Sequence, residues 1–274
     1  MSFLMLDSST AGAVSIKVVD ASESTKKNHE LEVLEHLQAN DNRDSHPGSS
    51  NVAQLLDSFV HEGPNGQHLC VVMELLGPTL PQVAQISPEC RLKAHLVRHV
   101  SGQIVKAVAY LHSCGVTHGD IHTGNILFRL PKAAIAGLLS ESPVTGKMSK
   151  KDGSALEVGV PKYLVKPLEY DITAFALDSG DIQLVDFGSE WIREAIATGL
   201  LLGEPEDRTN DFLPLEEEIK RHYFDESPSE TLEFTRQDLE KLGKYLRRML
   251  IVDPKQRAVA AELVSDTSWV NANG

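Results

Sequence analysis

Hydrophobic and polar positions along the chain predict a small strand-rich region followed by a larger helical one. The segment AVSIKVV (13–19) is rich in β-branched residues, which predicts a strand. The segment KKNHELEVLEHLQAN places Leu31, Leu34 and Leu37 at helical spacing, which predicts a helix. The runs VAQLLDSFVHE and HLCVVMELL are separated by GPNG, and this pattern predicts a β-hairpin.

The pattern changes after Pro88. A long amphipathic helix is predicted from Arg91 to Cys114, because apolar residues recur every three or four positions and Gly115 is placed to end it. The stretch 129–181 has little periodicity, and its centre, SESPVTGKMSKKDGS, has the composition of a linker or surface loop. DIQLVDFGS (181–189) predicts another strand, and 238–269 predicts helices interrupted at VDPKQR.

Length and composition limit the classes of protein to consider. A chain of 274 residues can form one large domain or two lobes that share a cleft. The net charge of −13 argues against direct nucleic-acid binding, which needs basic phosphate contacts. No apolar run reaches the roughly eighteen residues of a membrane helix, and no basic residue precedes the short apolar stretch at the N-terminus, so neither a membrane span nor a secretory signal is expected. The 3 cysteines are widely spaced, which predicts reduced thiols in a cytoplasmic or nuclear protein.

Acidic residues are concentrated in one part of the chain. Between Glu204 and Glu240 there are 13 acidic and 4 basic residues, a local balance of −9. Such a run is typical of a solvated helical face. The alternative interpretation is an electrostatic surface for a basic substrate.

The run HGDIHTGN (118–125), followed by ILF, carries the strongest chemical signal. It places a carboxylate, Asp120, five residues before an amide, Asn125. Phosphoryl transfer from ATP needs Mg²⁺ with oxygen ligands, a lysine at the phosphates, and a group that accepts the proton of the acceptor hydroxyl. We expect Asp120 to be that base and Asn125 to be a metal ligand.

Other segments in the same order resemble the motifs of protein kinases. Lys17 in VSIK and Glu30 on the following helix resemble the strand lysine and helix glutamate that form an ion pair at the phosphates. Asp186 in DFG (186–188) resembles the second metal ligand. The resemblance therefore implies ATP and Mg²⁺ as cofactors.

The segment VVMELLG resembles the hinge of protein kinases, which meets the adenine ring. By this resemblance Met73 is the gatekeeper, and the backbones of Glu74 and Leu76 form hydrogen bonds to adenine. Leu127, in the ILF run, is assigned to the nucleotide site as well.

Two kinase-like families compete for the resemblance. HGDIHTGNIL is similar to the small-molecule phosphotransferases of the aminoglycoside and choline kinase type. In contrast, residues 55–80 resemble the SR-protein kinases, which phosphorylate serines in Arg/Ser-rich proteins. Residues 246–270 resemble the last helices of serine/threonine kinases, in which Arg257 would pair with a glutamate after the activation segment, for which Glu206 is the candidate. The chain is therefore identified as similar to SR-protein kinases.

The implied fold is α+β and bilobal, with a small β-rich N-lobe over residues 1–80 and a mainly helical C-lobe over 81–274. It is expected to be incomplete, because no G-x-G-x-x-G precedes Lys17, and the first strand and the glycine-rich loop are therefore expected to be missing. The C-lobe carries an insertion at about 129–180. It is shortened after 190, with too few residues for the central buried helix.

Two residues of the catalytic motif depart from the protein-kinase pattern. Gly119 stands where an arginine usually senses a phosphorylated activation loop, which predicts activity independent of loop phosphorylation. His122 stands where a lysine usually steadies the transferred phosphate. A neutral imidazole supplies less positive charge there than an ammonium at pH 7.

Three functions remain compatible with the sequence. The first is an ATP-dependent serine/threonine kinase that acts on basic, Arg/Ser-rich proteins. The second is a degenerate pseudokinase that acts as a binding module. The third is a small-molecule phosphotransferase, which rests on HGDIHTGN alone.

Overall fold

The computed structural model describes most of the two predicted lobes. The described residues are 2–7, 12–41, 43–86, 90–131, 134–137, 144–166, 180–187, 215–225, 232–251, 256–266 and 268–270.

The N-lobe is built on an antiparallel sheet with the strand order β1-β2-β4-β3. Its strands are β1 (Ser2–Asp7), β2 (Gly12–Val18), β3 (Leu55–Gly63) and β4 (Gly66–Glu74). The predicted hairpin is present as β3 and β4, and Gly66 at the turn has a φ of 118°, which favours glycine. The expectation that the first strand is missing is wrong, because β1 is present and pairs along its whole length with the strand that carries Lys17. Its sequence, SFLMLD, has no β-branched residue and therefore gave no strand signal.

Two helices follow β2. The short α1 covers Ala21–Ser24, and α2 covers His29–Gln38. Asn28 caps α2, because its side chain accepts a hydrogen bond from the Leu31 backbone N–H at 2.9 Å. Leu34 and Leu37 face the core as their spacing predicted, and Glu30 in the first turn is also buried.

The C-lobe begins with a second sheet, of order β5-β6-β9. These strands are β5 (Leu76–Thr79), β6 (Ile126–Arg129) and β9 (Ile182–Leu184). Helix α3 (Leu80–Ile86) follows β5, and the long helix α4 covers Ala94–Ser113. Helix α4 ends where predicted, at Gly115, whose φ of 71° suits a residue without a side chain.

One hydrophobic core joins the two lobes. It contains buried residues of α2, β3 and β4 together with residues of α4, β6 and β9. Tyr110 and Leu111 of α4 contribute from the C-lobe, and Leu34 and Val71 contribute from the N-lobe. The cleft between the lobes is therefore supported by continuous packing from both sides.

The remaining helices form a second packed layer in the C-lobe. They are α5 (Leu215–Asp225), α6 (Arg236–Met249) and α7 (Ala260–Ser265). Helices α6 and α7 match the helical prediction for 238–269, and α5 lies in the acidic stretch before it. Thr235 and Asp238 form a reciprocal capping box at the start of α6. Trp269 is fully buried in the smaller core beside Val105 of α4.

Acidic side chains of the described part of the stretch 204–240 pair with cations of the same chain. These pairs are Glu216–Arg247, Glu217–Lys220, Glu218–Arg221, Asp238–Arg98 and Glu240–Lys244. The pairing favours the interpretation of a solvated helical face over that of a substrate surface. Residues 204–206, including the proposed partner of Arg257, lie outside the described residues, and the Arg257 Nε donates to the Ile251 carbonyl at 2.7 Å.

The insertion contains a hairpin where composition predicted only a loop. Strands β7 (Thr145–Lys147) and β8 (Tyr163–Val165) pair antiparallel, and all of their residues are exposed. Because neither strand buries a face, the sequence shows no period-two pattern, which explains the incorrect prediction.

Among the helices of the described part of the chain, none is long and apolar enough to cross a membrane.

A buried polar network fixes strand β9 against α4. The Gln103 Oε1 accepts from the Asn51 side chain at 2.7 Å and from the Ile182 backbone N–H at 2.9 Å. The Gln103 Nε2 donates to the Gly180 carbonyl at 2.9 Å. Asn51 also donates to the Ile182 carbonyl at 3.1 Å. Gln103 therefore satisfies hydrogen-bonding groups of three other residues, namely Asn51, Ile182 and Gly180.

We expect the substitution Gln103→Leu to lower the free energy of unfolding by about 3 kcal/mol, because it leaves several buried polar groups without partners. Urea unfolding followed by circular dichroism measures this change. Lys106→Ala, at an exposed position of the same helix, is the control and should change stability by less than about 0.5 kcal/mol. Equal effects of the two substitutions would contradict the role assigned to the network.

Candidate active site

The predicted lysine and its two carboxylates lie together at the front of the cleft. The Lys17 Nζ is 2.6 Å from Glu30 Oε2 and 3.4 Å from Asp186 Oδ1. Strand β2, helix α2 and the segment after β9 each supply one of the three groups. The ion pair that the sequence predicted between Lys17 and Glu30 is therefore present.

Electrostatics keep this lysine charged. Burial alone would lower the pKa of the Lys17 ammonium, but the carboxylates of Glu30 and Asp186 outweigh burial and raise that pKa above its ordinary value. The Asp186 carboxylate is about half exposed, whereas that of Glu30 is almost fully buried. The arrangement leaves a cation and an accessible carboxylate side by side, which suits a metal-bound polyphosphate.

Asp186 has a strained backbone. Its φ of 68° lies in the left-handed region, which costs a non-glycine residue about 1 kcal/mol or more. Strand β9 positions it on one side, and Phe187, which is buried in the main core, holds it on the other. Strain of this kind persists where the surrounding structure holds the residue in place, and it is frequent at functional sites.

The catalytic-motif loop presents its two predicted residues differently. The Asp120 carboxylate is about half exposed and lies beside His122, whose Nε2 is 3.8 Å from Asp120 Oδ2. Asn125 is buried, and its Nδ2 donates to the Asp120 carbonyl at 3.1 Å. With its nitrogen occupied in this way, the amide of Asn125 has its oxygen left to ligate a cation.

His122 has a defined place in this loop. Its Nδ1 accepts from the Gly124 backbone N–H at 3.0 Å, so the ring caps the short 3₁₀ turn Thr123–Asn125. A Cβ at position 124 would lie 2.8 Å from the His122 Cε1. A side chain at position 124 would therefore displace the imidazole from this position.

His118 joins the catalytic loop to the segment that carries Asp186. Its Nε2 donates to the Val185 carbonyl at 3.0 Å, and its Nδ1 accepts from the Asp120 backbone N–H at 3.2 Å. Its ring also contacts that of Phe187, with the centroids 5.0 Å apart. Through these contacts His118 anchors the catalytic loop to the segment after β9.

The residues predicted to meet adenine lie at the junction of the two sheets. Met73 and Glu74 end β4, and Leu76 begins β5 after one intervening residue. Leu127 lies on β6, the neighbour of β5, where its register partner is Thr79. The structure thus brings the hinge residues and Leu127 to the same junction.

The oxygen donors fit a magnesium nucleotide. Magnesium prefers carboxylate and amide oxygens, and Asp186 and Asn125 supply one of each. They are connected through the backbone, because the Val185 N–H donates to the Asn125 carbonyl at 3.0 Å. These two residues would hold the metal, and Lys17 would meet the phosphates.

Sequence reasoning did not identify Gln183, Gln103 or Arg129 as residues that support the site. Gln183 interrupts the apolar strand sequence IQL, and Gln103 lies on the buried face of α4. A polar residue inside an apolar pattern is the signal that could have revealed both. The hydrogen-bond partners of these two glutamines, however, are distant in sequence and could not be inferred.

We expect the burial of His118 to make the folding stability depend on pH. Burial lowers the pKa of His118, against smaller opposing effects of the Val185 carbonyl and of nearby carboxylates. Above pH 6.5 the folded and unfolded chains both hold this ring neutral. As the pH falls below 6.5 the unfolded chain takes up the proton first, so folding stability decreases until the pH passes the lower, folded pKa.

Chemical denaturation of the wild type and of His118→Gln between pH 5 and pH 8 measures this contribution. Other histidines titrate in both proteins, so the informative quantity is the difference between the two stabilities at each pH. That difference should favour the wild type less as the pH falls below 6.5. A difference that stays constant over the whole range would contradict the prediction.

Comparison with known proteins shows that the chain is similar to protein kinases. Residues 2–136 match the family described as protein kinase domain. Protein kinase dsk1 of Schizosaccharomyces pombe is 31% identical over 156 residues, which covers 54% of this chain and 28% of dsk1. Serine/threonine-protein kinase spk-1 of Caenorhabditis elegans is 31% identical over 175 residues, which covers 62% of this chain and 17% of spk-1. Serine/threonine-protein kinase SRPK of Physarum polycephalum is 31% identical over 127 residues, or 46% of this chain and 29% of that protein.

The matched stretches span less than a third of the length of these relatives. A solved crystal structure of a kinase domain aligns with 98% of this chain and 91% of its own, with a TM-score of 0.53 and 18% identity. That likeness shows the fold, and it confirms the predicted bilobal α+β architecture. Residues 2–136 are thus similar to the protein kinase domain, and the relatives that the chain resembles are protein kinases, two of which are named as serine/threonine kinases.

Proposed function

We propose that this chain is an ATP-dependent protein serine/threonine kinase. The observation that carries the proposal is the position of the Lys17 ammonium between the carboxylates of Glu30 and Asp186. A cation held in this way can meet the phosphates while Asp186 and Asn125 hold Mg²⁺. ATP and Mg²⁺ are accordingly the proposed cofactors, and the bound metal would neutralise charge on the transferred phosphoryl group.

The protein groups have distinct tasks in this proposal. Asp120 accepts the proton of the acceptor hydroxyl, and its half-exposed carboxylate can reach a protein substrate. The backbones of Glu74 and Leu76 hydrogen-bond the adenine, with Met73 and Leu127 lining its pocket. His118 sets the distance between the catalytic loop and the metal-binding segment through its bonds to Asp120 and Val185.

The proposed acceptor is serine in basic, Arg/Ser-rich proteins. Similarity to SR-protein kinases supports this substrate class, and so does the net charge of −13, which favours a basic partner over a nucleic acid. The ion pairs within α5 and α6 weaken the case for the described part of the stretch 204–240 as the substrate surface. The proposed location is the cytoplasm, the nucleus or both, which the three free cysteines support.

A binding module is the second candidate, and one observation favours it. Glycine-rich loops hold the triphosphate through backbone N–H groups. Residues 8–11, between β1 and β2, have the sequence SSTA and contain no glycine. A chain with this sequence could keep the fold and bind protein partners without turnover.

Below the catalytic loop the described residues also border an open, largely apolar cavity of about 690 Å³. It reaches Thr123 of the catalytic loop and is lined further by Leu80, Val97, Tyr223 and Leu242. Weaker support under the loop would allow Asp120 to move, and a small displacement of a reacting group lowers the rate strongly. Both features predict slow turnover if the chain is an enzyme.

We expect Asp120→Asn to lower phosphorylation of an Arg/Ser-repeat peptide by about a hundredfold or more, because it removes the general base. Transfer of labelled phosphate from Mg·ATP measures the rate. Asp152→Asn, an exposed carboxylate in the insertion, is the matched control and should leave the rate unchanged.

Two outcomes would reject the kinase assignment. One is phosphate transfer by Asp120→Asn at the wild-type rate. The other is consumption of choline or an aminoglycoside with no transfer to the peptide, which would support a small-molecule phosphotransferase. Binding of Arg/Ser proteins that persists in Asp120→Asn and Asp186→Asn, without turnover in the wild type, would support the binding module.

A further inference from the structure

Gln183 occupies an unusual position for a polar side chain. It is the central residue of β9, it lies opposite Leu127 of β6, and its relative exposure is 0%. Its neighbours in the strand, Ile182 and Leu184, are equally buried and apolar. An amide in such a setting is costly unless its groups find partners.

The Gln183 side chain forms a hydrogen bond to the hinge residue Glu74. Its Nε2 donates to Glu74 Oε2 at 2.6 Å, a short bond to a charged acceptor. Arg129 is the other group near this carboxylate, but its Nη2 is 3.8 Å from Glu74 Oε2 and donates at 2.7 Å to the Ser50 carbonyl. The amide of Gln183 therefore provides the closer contact to Glu74.

This bond crosses from one sheet to the other. Glu74 is the last residue of β4, where it pairs with Val14 of β2, and Gln183 belongs to the C-lobe sheet. The chain passes between the two sheets directly after Glu74, at the point where its backbone would meet adenine. A fixed Glu74 side chain therefore restricts the backbone of the hinge.

The oxygen of the Gln183 amide helps to explain the role of its nitrogen. The Gln183 Oε1 is buried and has no hydrogen-bond partner among the described residues. An apolar residue of similar shape would avoid that cost and would fill the same space. The side chain is thus better explained by its bond to Glu74 than by packing.

We propose that Gln183 is a positioning residue for nucleotide recognition, which acts through the Glu74 carboxylate to hold the hinge backbone in place. The inference rests on the proposed function, because it assumes that the hinge binds the adenine of ATP. Gln183 does not touch the reacting atoms, so it should affect binding of ATP and not the chemical step.

Exchanging the side chains of Gln183 and Glu74 tests whether their hydrogen bond affects the binding of Mg·ATP. Gln183→Glu places two carboxylates against each other, and we expect it to raise the dissociation constant of Mg·ATP at least about tenfold. The double variant Gln183→Glu/Glu74→Gln restores an amide and a carboxylate with their places exchanged. Its dissociation constant should return to within about threefold of the wild-type value.

Titration calorimetry on the full chain gives these constants, and peptide phosphorylation gives a second readout. The KM for ATP should rise in Gln183→Glu while kcat at saturating ATP is maintained. If Gln183→Glu does not fold, Glu74→Ala removes the same bond from its partly exposed end, with the exposed Glu62→Ala as control. Glu74→Ala should then weaken Mg·ATP binding and Glu62→Ala should not.

The outcomes separate this inference from the proposed function. Wild-type binding of Mg·ATP that is unchanged in Gln183→Glu, or that the double variant fails to restore, overturns the inference alone. Lower thermal stability with an unchanged dissociation constant also overturns it, since that is the result of a purely structural role. A folded wild type that binds no Mg·ATP overturns both.

Discussion

The segment from Ile182 to Phe187 is the constraint on which the site depends, because successive residues contact different elements. Ile182 is held by Gln103 and Asn51, and Gln183 is bonded to the hinge. Leu184 pairs with β6 in the core. Through Val185, Asp186 and Phe187 the same segment reaches the catalytic loop, Lys17 and His118. Displacement of β9 would therefore disturb the metal ligand, the lysine and the hinge together.

The ion pair of Lys17 with Glu30 fixes the position of the lysine in the site. It connects the N-lobe sheet to α2, and α2 packs in the core shared by both lobes. Removal of either partner would leave a charge in a partly buried place, which costs more than the pair itself contributes. The pair thus holds the lysine beside the Asp186 carboxylate, which is about half exposed and accessible to a ligand.

Local patterns in the sequence predicted most of the elements that carry the site. The spacing of Leu31, Leu34 and Leu37 predicted α2, and the turn GPNG predicted the hairpin. Motif order placed Lys17 and Glu30 on adjacent elements, and the structure brings them into contact. These predictions succeeded because each depends on a periodicity or turn within a short segment.

Features that depend on distant contacts were not predicted. The strands of the exposed hairpin β7–β8 bury no face, so they carry no pattern. The bonds of Gln183 and Gln103 join residues 109 and 79 positions away, to Glu74 and Ile182, and no local signal specifies such partners. The charge of the stretch 204–240 suggested an external partner as one alternative, yet many of its described side chains are neutralised within the chain, as at Glu216 and Arg247.

The central claim is that Lys17, Asn125 and Asp186 form an assembled nucleotide site. Its most direct test is the unfolding free energy of the purified chain with and without Mg·ATP, with Asp186→Asn as control. At about a hundred times the dissociation constant, the ligand should add roughly 2.7 kcal/mol to the wild type. The gain should require magnesium and should be lost in the control. A cooperatively folded wild type whose stability does not change with Mg·ATP would contradict the claim.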